Sequence, residues 1–124
     1  MKSRENLVRV KRFQVNEKRR QIMQLDMMIA EFERMAVELE LQITAEEKKA
    51  GITDINHFAY PTFAKAARLR RDNLRNSQSD LAQQRSAAES LLGEAEAELS
   101  KAEALEIRDH KPREVEGSRG AMIG

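Results

Sequence analysis

The stretch from Ile22 to Ile43 reads IMQLDMMIAEFERMAVELELQI, and its apolar residues fall on a seven-residue repeat. Ile22, Ile29, Ala36 and Ile43 recur at every seventh position, and Leu25, Phe32 and Leu39 each follow three residues behind a member of that series. Spacing that alternates three and four is the a/d pattern of a coiled coil, which keeps one narrow stripe of a helix against a partner helix. Upstream, Val8 and Val15 continue the a series, but Lys11 and Lys18 occupy the d positions, so the seam weakens toward the N-terminus. A helix on the surface of a globular domain would carry a broader apolar face.

A second series is fainter. Ala67, Leu74, Leu81, Ala88, Ala95 and Ala102 also recur every seven residues. Leu91 and Leu105 take the matching d positions, Ser77 and Gln84 take others, and Leu92 and Leu99 point to a shift toward the neighbouring column. Gly93 interrupts this segment at a cost of about 1 kcal/mol to a helix; it is either a tolerated glycine or the mark of a tight contact.

Glycine and proline divide the chain simply. Gly51 and Pro61 bracket a break, while Pro112, Gly117, Gly120 and Gly124 mark the end. The expected organisation is a helical hairpin over 1–110, with a first helix at about 3–50, a turn at 51–60 and a second helix at about 61–109, followed by a disordered tail at 111–124. At roughly 1.5 Å per residue each helix is on the order of 70 Å long. Thr53 or Asp54 is placed to cap a short helical turn. Tyr60 precedes proline and is pushed out of the helical region, and Pro61 suits the first turn of the next helix.

Composition agrees with this. Charged residues make up 35% of the chain, aromatics only 4%, and Cys and Trp are absent, which is the mixture of long helices rather than of a compact core. A net charge of +1 and periodic apolar residues argue against disorder of the whole chain. No run approaches the roughly 18 apolar residues of a membrane span, and no apolar region follows the basic start as in a secretory signal. The expected location is the cytoplasm, where a chain without Cys needs no disulfides.

Charge decides how the helices pair. Lys and Arg minus Asp and Glu gives +6 for residues 1–20, −4 for 21–50, +2 for 51–80 and −4 for 81–110. Folding back near residue 56 lays the basic start on the acidic end of the second helix, and acidic 31–47 on basic 65–75. A parallel dimer in register would stack like charges, so flanking charge selects a long antiparallel two-helix coiled-coil hairpin, an all-α fold. Phe32 is then expected opposite Leu81, and Leu39 opposite Leu74.

The sequence offers little chemistry. His57 and His110 stand far apart without Cys, Asp or Glu at metal-ligand spacing, and the Glu pairs, such as Glu38/Glu40 and Glu94/Glu96, read as solvated helix faces. No phosphate-binding glycine loop or nucleophile elbow is present. The expectation is a protein without catalysis, metal or cofactor.

Three clusters remain. The basic stretch Arg9, Lys11, Arg12, Arg19 and Arg20, with Arg4 and Lys18, is either the partner of the acidic end of the second helix or a surface for an anionic protein; nucleic acid binding wants a basic excess over the whole domain. The turn residues His57, Phe58, Tyr60 and Phe63, with Ile52 and Ile55, form either a cap over the hairpin end or a docking tip whose aromatic anchors grip a partner. Arg68, Arg70, Arg71 and Arg75 are explained largely by pairing with the acidic first helix.

The turn and its flanks read His57-Phe58-Ala59-Tyr60-Pro61-Thr62-Phe63-Ala64-Lys65-Ala66-Ala67, and the chain opens on Leu7-Val8-Arg9-Val10-Lys11. With the heptads between them, these segments resemble the FliJ family of flagellar export proteins, in its alphaproteobacterial form, over about residues 1–112. The resemblance implies a cytoplasmic component of the flagellar type III export apparatus, peripheral to the inner membrane. It implies a stalk-like antiparallel helical pair with three kinds of partner: the export ATPase, the cytoplasmic domain of the export gate, and the export chaperones it escorts. On this chain the end with both termini, Val8–Arg20 with Leu91–Ile107, would meet the ATPase through Arg9, Lys11, Arg12, Arg19 and Arg20. The turn end, with His57, Phe58, Tyr60 and Phe63, would meet the gate. Two other readings stay open: a coiled-coil scaffold unrelated to flagella, which includes self-association into four-helix assemblies, and a helical hairpin that binds nucleic acid through its basic start.

Overall fold

The computed structural model of the chain describes the backbone of residues 2–123 and the side chains of residues 3–109. Two helices, α1 at Lys2–Ala50 and α2 at Thr62–Ile123, pack against each other as an all-α hairpin, and no strand occurs among the described residues. The tail expected at 111–124 lies outside the residues whose side chains are described. The hairpin divides into two compact units: a terminal unit of residues 1–22 and 87–124, and a turn unit of residues 23–86.

In the terminal unit Val8, Val15 and Ile22 of α1 are buried with Ala88 and Ala102 of α2, so the predicted a series forms the core. Lys11 and Lys18 are half-buried at their d positions. The second column of α2 differs from the simplest expectation. Leu91 and Leu105 are exposed, at 45% and 36%, whereas Leu92 and Leu99 are half-buried. Leu92 and Leu99 follow Ala88 and Ala95 by four residues instead of three. At about 100° per residue, that step puts them on the other side of the Ala column and turns Leu91 outward. Among the described residues four ion pairs tie the helices here: Arg4–Asp109 at 2.6 Å, Lys11–Glu98 at 2.7 Å, Arg19–Glu96 at 3.2 Å and Arg12–Glu103 at 3.7 Å.

A methyl group at Gly93 would meet no atom within 4 Å, so this is a tolerated glycine and not a close contact. Gly93→Ala should therefore stabilise the protein by about 1 kcal/mol through helix propensity alone. A thermal melt that is unchanged or lower would contradict an open, fully helical site.

In the turn unit the core continues with Ala36 and Ile43 from α1 and Ala64, Ala67 and Leu81 from α2. Leu25, Ile29, Phe32, Leu39 and Leu74 are half-buried, as the predicted register requires. The second column of α2 is polar here: Arg71, Gln78 and Arg85, each four residues after a member of the main series, are half-buried. The Gln78 amide donates to the Ile29 carbonyl at 3.2 Å and to Glu33 at 3.0 Å. Arg85 pairs with Asp26, Arg75 with Glu33 and Glu40, and Arg68 with Glu47, so the antiparallel register folds back where charge places it.

Gly51 ends α1. Its φ of 69° lies in the left-handed region, and its amide and that of Ile52 both donate to the Glu47 carbonyl, at 2.8 and 3.3 Å. This gives two donors to the Glu47 carbonyl, in the last turn, where helix carbonyls run out of partners. Two turns follow in place of the expected helical turn. Asp54 caps the first, its side chain accepting from the Asn56 amide at 3.0 Å and its carbonyl from His57 at 3.1 Å. The second closes by Tyr60 N–H to the His57 carbonyl at 3.0 Å, after which α2 begins at Thr62.

Candidate protein-binding surfaces

The basic stretch is largely spent inside the protein. Lys11, Arg12 and Arg19 pair with Glu98, Glu103 and Glu96 of α2, and Arg20 pairs with Glu17 on its own helix at 2.8 Å. Arg9 is exposed and makes no ion pair among the described residues. Residues 3–22 with 87–109 contain nine Lys and Arg against nine Asp and Glu, so the N-terminal run of charge becomes a balanced surface once α2 lies on it. Exposed pairs of this kind contribute only about 0–1 kcal/mol each; their role is to select the register. The large apolar groups beside Arg9 are Val10 and Phe13, at 50% and 65% exposure.

The four turn residues separate into two roles. Phe58 is 96% exposed and stacks on His57, with ring centroids 4.7 Å apart, and Phe63 is 55% exposed. His57 Nδ1 accepts the Ala59 amide proton at 3.0 Å, which fixes the ring over the turn. Tyr60, by contrast, is buried. Its hydroxyl donates to Glu47 at 2.9 Å and accepts from Arg68 Nε at 2.8 Å, while Arg68 Nη2 reaches the same Glu47 oxygen at 2.8 Å. The guanidinium carbon also lies 5.8 Å from the Tyr60 ring centroid, within cation–π range. His57, Phe58 and Phe63 thus form an exposed tip, and Tyr60 locks the base of the turn to both helices. Sequence reasoning did not separate them, because the partners of Tyr60 lie 13 and 8 residues away.

The same network acts on acidity. Hydrogen bonds from Arg68 and then Tyr60 hold the Glu47 carboxyl below its ordinary value of 4.5. Gln78 and Arg75 do the same to Glu33, and Lys11 to Glu98. A carboxyl whose folded pKa is depressed stabilises the fold above its unfolded pKa and loses that contribution as pH falls through the folded value. The melting temperature should therefore be flat from neutral pH down to about 5.5 and decline below about 4.5. A melting temperature that rises on acidification would contradict these bonds.

Among the described residues no group of three His, Cys, Asp or Glu is placed to hold a metal ion, and no helix is long and apolar enough to cross a membrane. The grooves are shallow and lie on the helix faces. One is lined by Met35, Glu38, Leu39, Gln42 and Arg70, and another by Leu39, Gln42, Phe63 and Ala66. Their lining suits side chains of another protein better than a small substrate, which needs an enclosed cleft. In comparisons with known proteins no family model matches this chain, and neither a curated protein nor a solved structure gives a significant match.

Proposed function

We propose that this chain is a non-enzymatic component of the flagellar type III protein export apparatus, a stalk-like adaptor. The end with both termini would bind the export ATPase ring and the turn end the cytoplasmic domain of the export gate, with export chaperones as escorted partners. The flagellar part of this reading rests on the resemblance of the turn and heptad segments. The observation that carries the adaptor part is the hairpin itself. Its seam consumes the core side chains, and the large apolar groups left over, Phe13 and Phe58 among them, stand on outer faces suited to gripping proteins. The charge balance of the terminal unit takes support away from nucleic acid binding, which draws on net basic surface.

The test is steady-state ATP hydrolysis by a flagellar export ATPase with and without this protein. The informative variant is Arg9→Glu with Phe13→Ala, since both side chains are exposed and Arg9 is tied to no acidic partner among the described residues. Reversing Lys11, Arg12 or Arg19 would break the hairpin's own pairs and confuse binding with folding. Stimulation by the natural chain, weakened in the variant at unchanged helicity, is the expected result. Absence of both stimulation and co-migration on gel filtration would sink the assignment and leave a coiled-coil scaffold outside the flagellum. A Phe58→Ala variant should lose binding to the gate domain while still stimulating the ATPase.

A further inference from the structure

Two turns stand in tandem between Gly51 and Thr62, and each is closed in the same way. Asp54 accepts the Asn56 amide on its side chain at 3.0 Å and the His57 amide on its carbonyl at 3.1 Å. His57 then accepts the Ala59 amide on Nδ1 at 3.0 Å and the Tyr60 amide on its carbonyl at 3.0 Å. A side chain that takes the amide two residues on is ordinarily Asp or Asn. The second turn gives that place to an imidazole, and the two acceptors answer differently to a proton. A carboxyl group keeps an acceptor oxygen in either state, whereas a charged imidazole carries N–H on both nitrogens and accepts nothing. The bond from Ala59 therefore exists only while His57 is neutral, with its one ring proton on Nε2.

His57 is exposed, so a proton reaches Nδ1 directly from solvent. Histidine is the side chain whose charge ordinarily changes between about pH 5 and 8. The charged groups on the elements that meet at the turn are Glu46, Glu47, Lys48 and Lys49 of α1, Asp54 of the turn, and Lys65 and Arg68 of α2. None of them pairs with the His57 ring among the described residues. Glu47 is held by Arg68 and Tyr60, and the Asp54 carboxylate by the Asn56 amide. Once charged, the ring meets the Ala59 N–H donor to donor, with no acid in place to keep it there. Its stack on Phe58, 4.7 Å between centroids, depends on the same ring position. The group that takes the proton is thus the group that seats the exposed Phe58.

We propose that residues 57–60 are a proton-sensitive switch in the hairpin tip: neutral His57 closes the turn and holds Phe58 on its ring, and protonation releases both. The bond is exposed and local, so its loss reorders the tip with little effect on the melting temperature of the hairpin. Control of a partner's grip by this switch rests on the turn-end reading above; the switch itself does not.

The test is an NMR titration of the full chain, labelled with nitrogen-15, from pH 8 to pH 5, following the Ala59 amide and the His57 ring together. The Ala59 amide should move with the ring at one midpoint, and its protection against hydrogen exchange should fall by roughly fivefold in the acid form. His57→Asn keeps a side-chain acceptor that does not titrate, so its Ala59 amide should hold still across the range. His57→Phe keeps a ring beside Phe58 without an acceptor, and its Ala59 amide should be as weakly protected at pH 8 as that of the natural chain at pH 5. No partner is needed, so a failure here strikes the switch alone and leaves the turn-end reading to the binding of the gate domain. An Ala59 amide that stays put while the His57 ring titrates would overturn the proposal, as would one that moves in the Asn variant as it does in the natural chain.

Discussion

Replacing Val15 with Asp should cost about 3 kcal/mol or more and unfold much of the hairpin near room temperature, because it buries a charge that has no partner. Val15 is 2% exposed and is the largest side chain of the core that is fully enclosed. A two-helix fold buries a single stripe, so no second layer exists to absorb the loss, and small folds have only a few kcal/mol in hand. The neighbouring Lys11 shows why the effect depends on the residue as well as the place. Lys11 also sits on the seam, but its long stem carries the ammonium out to Glu98 at 2.7 Å, where the charge stays partly solvated. Asp has one methylene and cannot reach out in that way. Circular dichroism followed through a thermal melt checks this directly, with Val15→Ala as the reference for lost volume. The Asp variant should melt well below the Ala variant. Equal melting of the two would mean that position 15 faces water and that the a series is misplaced.

How far the sequence disclosed this arrangement depends on which residues carry hydropathy. The seam of α1 is legible because Val8, Val15, Ile22 and Ile43 are β-branched at strict spacing, and all four are buried. The second column of α2 is not, because Arg71, Gln78 and Arg85 fill it in the turn unit with side chains that look like surface residues. Only Leu92 and Leu99 hint at the four-residue offset. Charge tallies were enough to choose antiparallel pairing, and the cross-helix ion pairs follow them. They did not separate an internal partner from an external one for the basic stretch, since both readings ask for the same residues.

Tyr60 is the side chain on which the turn end depends, and two substitutions there should separate its packing from its polar role. Tyr60→Ala removes a buried ring and should cost about 3 kcal/mol. Tyr60→Phe keeps the ring and removes only the hydroxyl, for a loss of about 1 kcal/mol. The hydroxyl is placed between a carboxylate and a guanidinium, giving its proton to Glu47 and accepting one from Arg68. Without it, Glu47 keeps the direct bond from Arg68 Nη2, so the pair survives with one donor fewer. The Phe variant therefore carries a second signature. Because Tyr60 is one of the two bonds that depress the Glu47 pKa, its loss moves that carboxyl back toward 4.5, and part of the stability lost on acidification should disappear from the difference between variant and natural chain. The gap between the two melting curves should thus be widest at neutral pH and narrow as the pH falls below the ordinary carboxyl value of 4.5 and through the depressed value that Glu47 has in the folded natural chain. A gap that does not change with pH would show that the hydroxyl contributes through packing and not through Glu47. Since Phe58 and Phe63 are exposed beyond this lock, Tyr60→Phe should leave the chemistry of the tip in place, whereas Tyr60→Ala should loosen the turn that presents it. Binding of a partner at the turn end should accordingly survive the first substitution and fail with the second.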